Sequence, residues 1–287
     1  MLLSASGNAA VLTLFGMSVG TSVAVINYIS RIFAPIESLG MEIQTIQSAM
    51  AGVKRIDAFL DQPERTIPKE RETSARGDVV LSHVTFGYGE KRVLNDFSMT
   101  VKQGEQVTLV GRTGAGKSTV FKLLLGLYYP EAGSVTIGGV DVADITDARR
   151  RTCIGCVEQH FARVPGTVLE QITLGDPGIT EEMARNAAKL AGLDAAIQTL
   201  PNGYDTVCTD GMFSQGEWQL LSIARAAAAD PAVLLLDEIT ANLDAETEAR
   251  VLEALRRASE GRTVLSVSHC IYENLGGRTV EVRTQNA

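Results

Sequence analysis

The chain opens on a hydrophobic run with no charged position in residues 1–30; the first charge is Arg31. A continuous helix of that length would reach about 45 Å, against a bilayer hydrocarbon core of about 30 Å. Gly16, Ser18 and Gly20 fall in its middle and predict a turn. On that reading residues 2–15 form a segment of about 22 Å, too short to span, and residues 19–34 form a fuller one. No Lys or Arg precedes the run, so it lacks the basic start of a cleaved secretory signal. A buried core helix is the competing reading, but the nearby sequence offers little surface to cover it. Arg31, Lys54 and Arg55 all follow the run, which places the bulk of the chain on the cytoplasmic side.

From residue 36 the pattern turns amphipathic. Ile36, Leu39, Ile43, Ile46, Met50, Val53, Ile56 and Leu60 recur at three- and four-residue steps, with Glu37, Glu42, Gln44, Gln47 and Lys54 off the stripe. This predicts a long helical extension into water, bent at Pro35. Residues 61–78 are charged, contain Pro63 and Pro68 and lack periodicity, so they read as a linker. Beyond it, residues 79–86 and 93–101 read as strands around a turn at Gly89-Glu90-Lys91-Arg92, followed by strands at 106–110, 153–157, 233–236 and 263–267. Residues 119–126, 181–191, 215–229 and 245–258 have helical composition.

Composition sharpens this division. The 287 residues are 45% apolar with a mean hydropathy of +0.09, which excludes a disordered chain. Residues 1–77 carry seven basic and seven acidic side chains, so the whole net charge of −8 sits in the remainder. An acidic globular part argues against nucleic acid as a partner. Four cysteines exclude a disulfide scaffold. Cys153 and Cys156 fall on a predicted strand, where a three-residue spacing puts them on opposite faces, so they read as packing. Arg149-Arg150-Arg151 reads as a solvated helix end, His83 as a surface residue and Trp218 as core.

The chemistry begins after the strand at 106–110. Gly111-Arg112-Thr113-Gly114-Ala115-Gly116-Lys117-Ser118 fits G-x-x-x-x-G-K-[ST] without a mismatch, between a strand and the helix that takes in Thr119. Its glycines let backbone N–H groups curl round a phosphate, and the helix N-terminus adds positive potential. Lys117 reaches the β- and γ-phosphates of a nucleotide, and the Ser118 hydroxyl ligates Mg²⁺. The apolar run Val233-Leu234-Leu235-Leu236 suits a buried parallel strand and ends in Asp237-Glu238. Asp237 is placed to hold Mg²⁺, and Glu238 to orient or deprotonate the attacking water.

On these residues the chain resembles the nucleotide-binding domain of ABC transporters of the exporter type. Phe86-Gly87-Tyr88 resembles the adenine-stacking loop, Val157-Glu158-Gln159 the Q-loop, and Phe213-Ser214-Gln215-Gly216-Glu217 the signature. Asn242-Leu243-Asp244 resembles the D-loop and Ser268-His269 the H-loop. The resemblance implies an α/β P-loop NTPase fold with an antiparallel β subdomain and a helical subdomain, preceded by a membrane helix with a long cytoplasmic extension. It divides the chain into a partial transmembrane region (1–60), a linker (61–78) and the nucleotide-binding domain (79–287). The implied cofactors are ATP and Mg²⁺. Tyr88 would stack on the base, Gln159 would ligate the metal, His269 would meet the γ-phosphate, and Ser214, Gly216 and Asp244 would contact nucleotide. The implied partner is a second half-transporter, identical or not, closing head-to-tail so that each signature caps the other copy's nucleotide. The implied location is the cell membrane, with the nucleotide-binding domain on the cytoplasmic side and an unknown cargo.

The departures define the alternatives. Gln215 stands where the signature has Gly, Glu217 where it has Gln, Glu158 where Pro precedes the Q-loop Gln, and Cys270 where Arg follows the H-loop His. Glu217 suits the helix dipole but places negative charge beside an anion. A degenerate ATP-binding regulatory subunit with weak hydrolysis is therefore one alternative, and a soluble non-transport ABC ATPase is the other.

Overall fold

The computed structural model describes residues 19–61, 76–89, 91–112, 114–158, 161–237, 243–267 and 276–283. The chain divides into two units, Met1–Thr66 and Ile67–Ala287.

Among its described residues the first unit forms a 42-residue helix, α1 (Val19–Leu60). It runs through Pro35, where the sequence predicts a bend, and the Ser38 hydroxyl donates to the Pro35 carbonyl at 2.8 Å. Proline removes one rung of the helical ladder, which need not end a helix of this length. The apolar stripe from Ile36 to Leu60 is more than half exposed at every position. Among the described residues no helix is long and apolar enough to cross a membrane. The segment expected at 2–15 lies outside the described residues.

The second unit is built on two sheets. Strands β1 (Val79–Tyr88), β2 (Lys91–Val101), β4 (Ala132–Ile137) and β5 (Val140–Asp141) form an antiparallel sheet in the order β2-β1-β4-β5. Strands β3 (Gln106–Val110), β6 (Ile154–Val157), β7 (Val233–Leu236), β8 (Thr263–Ser266) and β9 (Arg278–Glu281) form a parallel sheet in the order β6-β7-β8-β3-β9. Every residue of β7 and β8 is buried, which is why these strands read as unbroken apolar or small runs. The Thr108 and Ser266 hydroxyls meet at 2.7 Å between β3 and β8.

Helix α2 (Lys117–Leu124) packs beneath the P-loop into the core shared by the two sheets. A second core gathers α4 (Val168–Thr173), α5 (Glu181–Leu190), α6 (Asp194–Gln198), α7 (Gln215–Ala227) and α8 (Ala245–Ser259). Here α7 is the central element, packed on α4, α5 and α8. Trp218 lies in this core as expected.

Helix α3 (Asp147–Cys153) brings two corrections. Cys153 closes this helix rather than opening the strand, which begins at Ile154. The basic triplet is not a solvated end. Arg150 donates to the carbonyls of Leu125 and Ile145, and Arg151 donates to those of Ile172 and Arg225. Burial pushes the Arg151 guanidinium below its ordinary pKa. These arginines give partly buried carbonyls a hydrogen-bond partner.

Candidate functional site

The P-loop leaves β3 at Gly111 with φ +152°. A side chain there would bring its Cβ to 2.4 Å from the Val282 carbonyl oxygen, so the loop passes β9 only as glycine. Gly116 caps α2 from the left-handed region at φ +103°, and its Cβ would meet Leu94 at 2.9 Å. Gly114 and Arg112 are exposed and Ala115 is buried, its N–H donating to the Arg112 carbonyl at 3.0 Å. The Lys117 ammonium curls back on the loop, donating to Gly111 O at 2.8 Å and Arg112 O at 3.2 Å. An ammonium has three donors, so this lysine can brace the loop and still face a phosphate. Ser118 is exposed on the first turn of α2 and Thr119 is buried behind it. Thr113 lies outside the described residues.

Because every strand of the larger sheet is parallel, the chain leaves β3, β6, β7 and β8 at the same edge. Asp237 follows β7 there, half-buried, its N–H donating to the Val157 carbonyl at 3.0 Å. One strand, β8, separates β7 from β3. At the usual strand spacing, Asp237 and the P-loop therefore start about 10 Å apart. The chain reaches Gln159, Glu238 and His269 just after β6, β7 and β8, but these three lie outside the described residues. Among the described residues no group of three His, Cys, Asp or Glu side chains could hold a metal ion. A Mg²⁺ bound through one or two protein oxygens and phosphates requires none. Ser118 and Asp237 supply hard oxygen donors of that kind.

Burial, with the nearby Glu158 and Asp237 charges, pushes the Cys156 thiol up to about 12. Burial raises Cys153 as well. Both behave as packing groups, as the sequence predicts.

The remaining predicted residues gather at two helix N-termini. Ser214 caps α7, whose first turn holds Gln215, Gly216 and Glu217, and a reciprocal capping box joins Ser214 to Glu217. Asp244 caps α8, accepting from the Thr247 N–H at 3.0 Å. Hydrogen bonds from Thr247 hold the Asp244 carboxyl below its ordinary pKa. The two ends touch: Gly216 is buried, and a Cβ on it would lie 2.1 Å from Thr247 Cγ2. Thr247 carries no motif signal, so the sequence does not reveal this contact.

Phe161, just past the Q-loop, stacks on Trp218 at 5.3 Å between ring centroids, and the Arg225 guanidinium lies 4.0 Å from the Phe161 centroid. Burial lowers the Arg225 pKa to about 10. These contacts tie the segment after Gln159 to the helix that Ser214 caps. Tyr88, expected to carry a base, is 39% exposed at the end of β1. Tyr128 and Lys122, which the sequence does not single out, flank it.

The ABC transporter family profile matches residues 94–241. The chain is 36% identical over 285 residues to a putative ABC transporter ATP-binding protein, exp8, of Streptococcus pneumoniae, covering 94% of this chain and 48% of that protein. It is 37% identical over 275 residues to the mycobactin import ATP-binding/permease protein IrtB of Mycolicibacterium smegmatis, covering 93% of this chain and 47% of IrtB. Among solved structures it is similar to a bacterial Atm1-family ABC exporter with ATP bound, with a TM-score of 0.68 and 30% identity over 96% of this chain and 50% of that one. The chain thus spans about half the length of the relatives it matches.

Proposed function

This chain belongs to the ABC transporter family as an ATP-binding component, and on that premise we propose that it hydrolyses ATP to drive transport as half of a dimeric exporter. Residues 1–60 are the end of a membrane region, 61–78 a linker and 79–287 the motor on the cytoplasmic side of the cell membrane. Tyr88 carries the base, and residues 111–119 wrap the phosphates with Lys117 at the β- and γ-groups. Ser118, Asp237 and Gln159 would hold Mg²⁺, which would offset charge on the phosphates. Glu238 orients or deprotonates water, and His269 bonds the γ-phosphate. Ser214, Gly216 and Asp244 serve the nucleotide of a second copy or a related chain, closed head-to-tail.

One observation supports this reading most: the parallel sheet brings the described P-loop residues 111–112 and 114–118 and the acidic Asp237 to a single edge, two strands apart. The cargo does not follow from relatives, since IrtB is named for import and the Atm1-family protein for export. The test is Mg²⁺-dependent ATP hydrolysis by the full chain in detergent. Lys117→Ala should abolish it, and Glu238→Gln should abolish turnover while keeping ATP bound. Hydrolysis that survives both changes, or never occurs, overturns the reading. The Ser214–Glu217 capping box supports a second reading, an ATP-binding subunit with slow turnover. Tight ATP binding with negligible hydrolysis by the parent chain would favour it.

A further inference from the structure

Three aromatic rings meet at the end of β1. Phe86 is buried; Tyr88 and Tyr128 are each about 40% exposed. The Phe86 and Tyr88 centroids are 5.0 Å apart with planes at 87°, and those of Tyr88 and Tyr128 are 5.3 Å apart at 88°. Phe86 and Tyr128 close the triangle at 5.5 Å. The Lys122 ammonium lies 5.5 Å from the Tyr88 centroid and 5.9 Å from that of Tyr128. Edge-to-face rings attract through their quadrupoles, and a cation over a ring adds to this, so each contact restricts how the Tyr88 ring can turn.

The origins of these side chains give the cluster its meaning. Phe86 and Tyr88 belong to β1. Lys122 lies in the last turn of α2, the helix that the P-loop opens, and Tyr128 lies just beyond it. Leu127 N–H bonds the Lys122 carbonyl at 3.0 Å, which holds the chain before Tyr128 against that helix. The ring that would carry a base is therefore referenced to the helix whose other end would hold the phosphates.

We propose that Tyr128 is a positioning residue for nucleotide recognition, fixing the plane of Tyr88 so that base and phosphates are gripped in one register. This rests on the proposed ATP-binding reading of Tyr88 and the P-loop. A ring that can turn freely must lose that freedom when a base stacks on it, and Tyr128 removes the cost in advance.

The test compares Mg²⁺–ATP with Mg²⁺–tripolyphosphate, which has no base, as ligands of the full chain. Tyr128→Leu should weaken ATP binding roughly three- to tenfold, the range of one aromatic pair, and leave tripolyphosphate binding unchanged. Tyr128→Phe keeps the ring and should bind ATP as the parent does. In a Tyr88→Ala background Tyr128→Leu should have no further effect. The proposal is overturned if Tyr128→Leu leaves ATP affinity intact, or if it weakens both ligands equally, the sign of mere packing against α2. A parent chain that binds tripolyphosphate and ATP equally would overturn the role given to Tyr88 while leaving the P-loop reading standing. A parent that binds neither ligand overturns that reading and this proposal together.

Discussion

The Glu217 carboxylate holds Ser214 by both of its donors. One oxygen accepts from the Ser214 backbone N–H at 2.8 Å and from the Ser214 hydroxyl at 2.9 Å. The Glu217 N–H in turn lies 3.3 Å from that hydroxyl. These are the groups that the proposed function turns toward a phosphate of the facing copy. To meet it, the hydroxyl must leave an anion that already occupies it, and a second anion must approach the first.

Replacing the charge should therefore ease engagement. Glutamine at this position preserves the capping box, because its side-chain oxygen can still accept from the Ser214 N–H. Glu217→Gln should raise ATP hydrolysis several-fold and lower the ATP concentration that drives self-association, with thermal stability unchanged. ATP titrations followed by light scattering and phosphate release would check this. Equal curves for parent and variant would show that the Glu217 charge does not limit closure.

Gly216 makes a separate prediction, about stability. Its Cβ would lie 2.1 Å from Thr247 Cγ2, and a β-branched side chain has little room to turn away. Gly216→Ala should destabilise the chain by about 1–3 kcal/mol, the range of overpacking in a core. Adding Thr247→Ser, which removes the clashing methyl and keeps the hydroxyl beside Asp244, should recover most of that loss. Denaturant midpoints of the single and double variants measure it. Failure of the serine to rescue would place the glycine requirement elsewhere.

These residues also mark how far the sequence can be read. The P-loop was legible because its chemistry is contiguous: residues 111–118 make their own loop. The strands at 106–110 and 233–236 matched because burial on both faces writes itself as an apolar run. Thr247 under Gly216, Tyr128 beside Tyr88, and the inward turn of Arg150 and Arg151 were not legible. Each is a contact between elements distant in sequence, and no local pattern marks it. The stripe of α1 was legible as a helix, but its partner was not, since exposed apolar positions name no surface to cover them.

The cysteine pair predicts chemical inertness. With the Cys156 thiol at about 12 and Cys153 raised by burial, almost no thiolate exists at pH 8. Alkylation by iodoacetamide at pH 8 should reach Cys153 and Cys156 only when the domain unfolds, so their labelling should follow the denaturation curve. Fast labelling of either residue in the folded chain would contradict the burial argument.

The last prediction concerns pH and the edge of the parallel sheet. Arg278 opens β9 and donates to Glu105, just before β3, at 2.8 Å; the same guanidinium reaches the Thr100 carbonyl at 2.8 Å in β2. The pair thus ties the edge strand beside the P-loop to both sheets. The Arg278 bond holds the Glu105 carboxyl below its ordinary 4.5, assisted by the Lys102 N–H. A carboxyl with a depressed folded pKa adds stability that is fully present above its unfolded value. That stability is lost as pH falls from 4.5 through the lower folded value. The Arg278 side chain is about half exposed and Glu105 partly so, so solvent and salt screen the pair and its contribution is modest. Glu105→Gln should accordingly lower stability at pH 7, by less at high salt, and the gap between parent and variant should close below pH 4.5. Chemical denaturation from pH 3 to pH 7 reads both effects. A gap that does not narrow at all as pH falls below 4.5 would mean that the side chain contributes through shape, and that its charge does not hold β9.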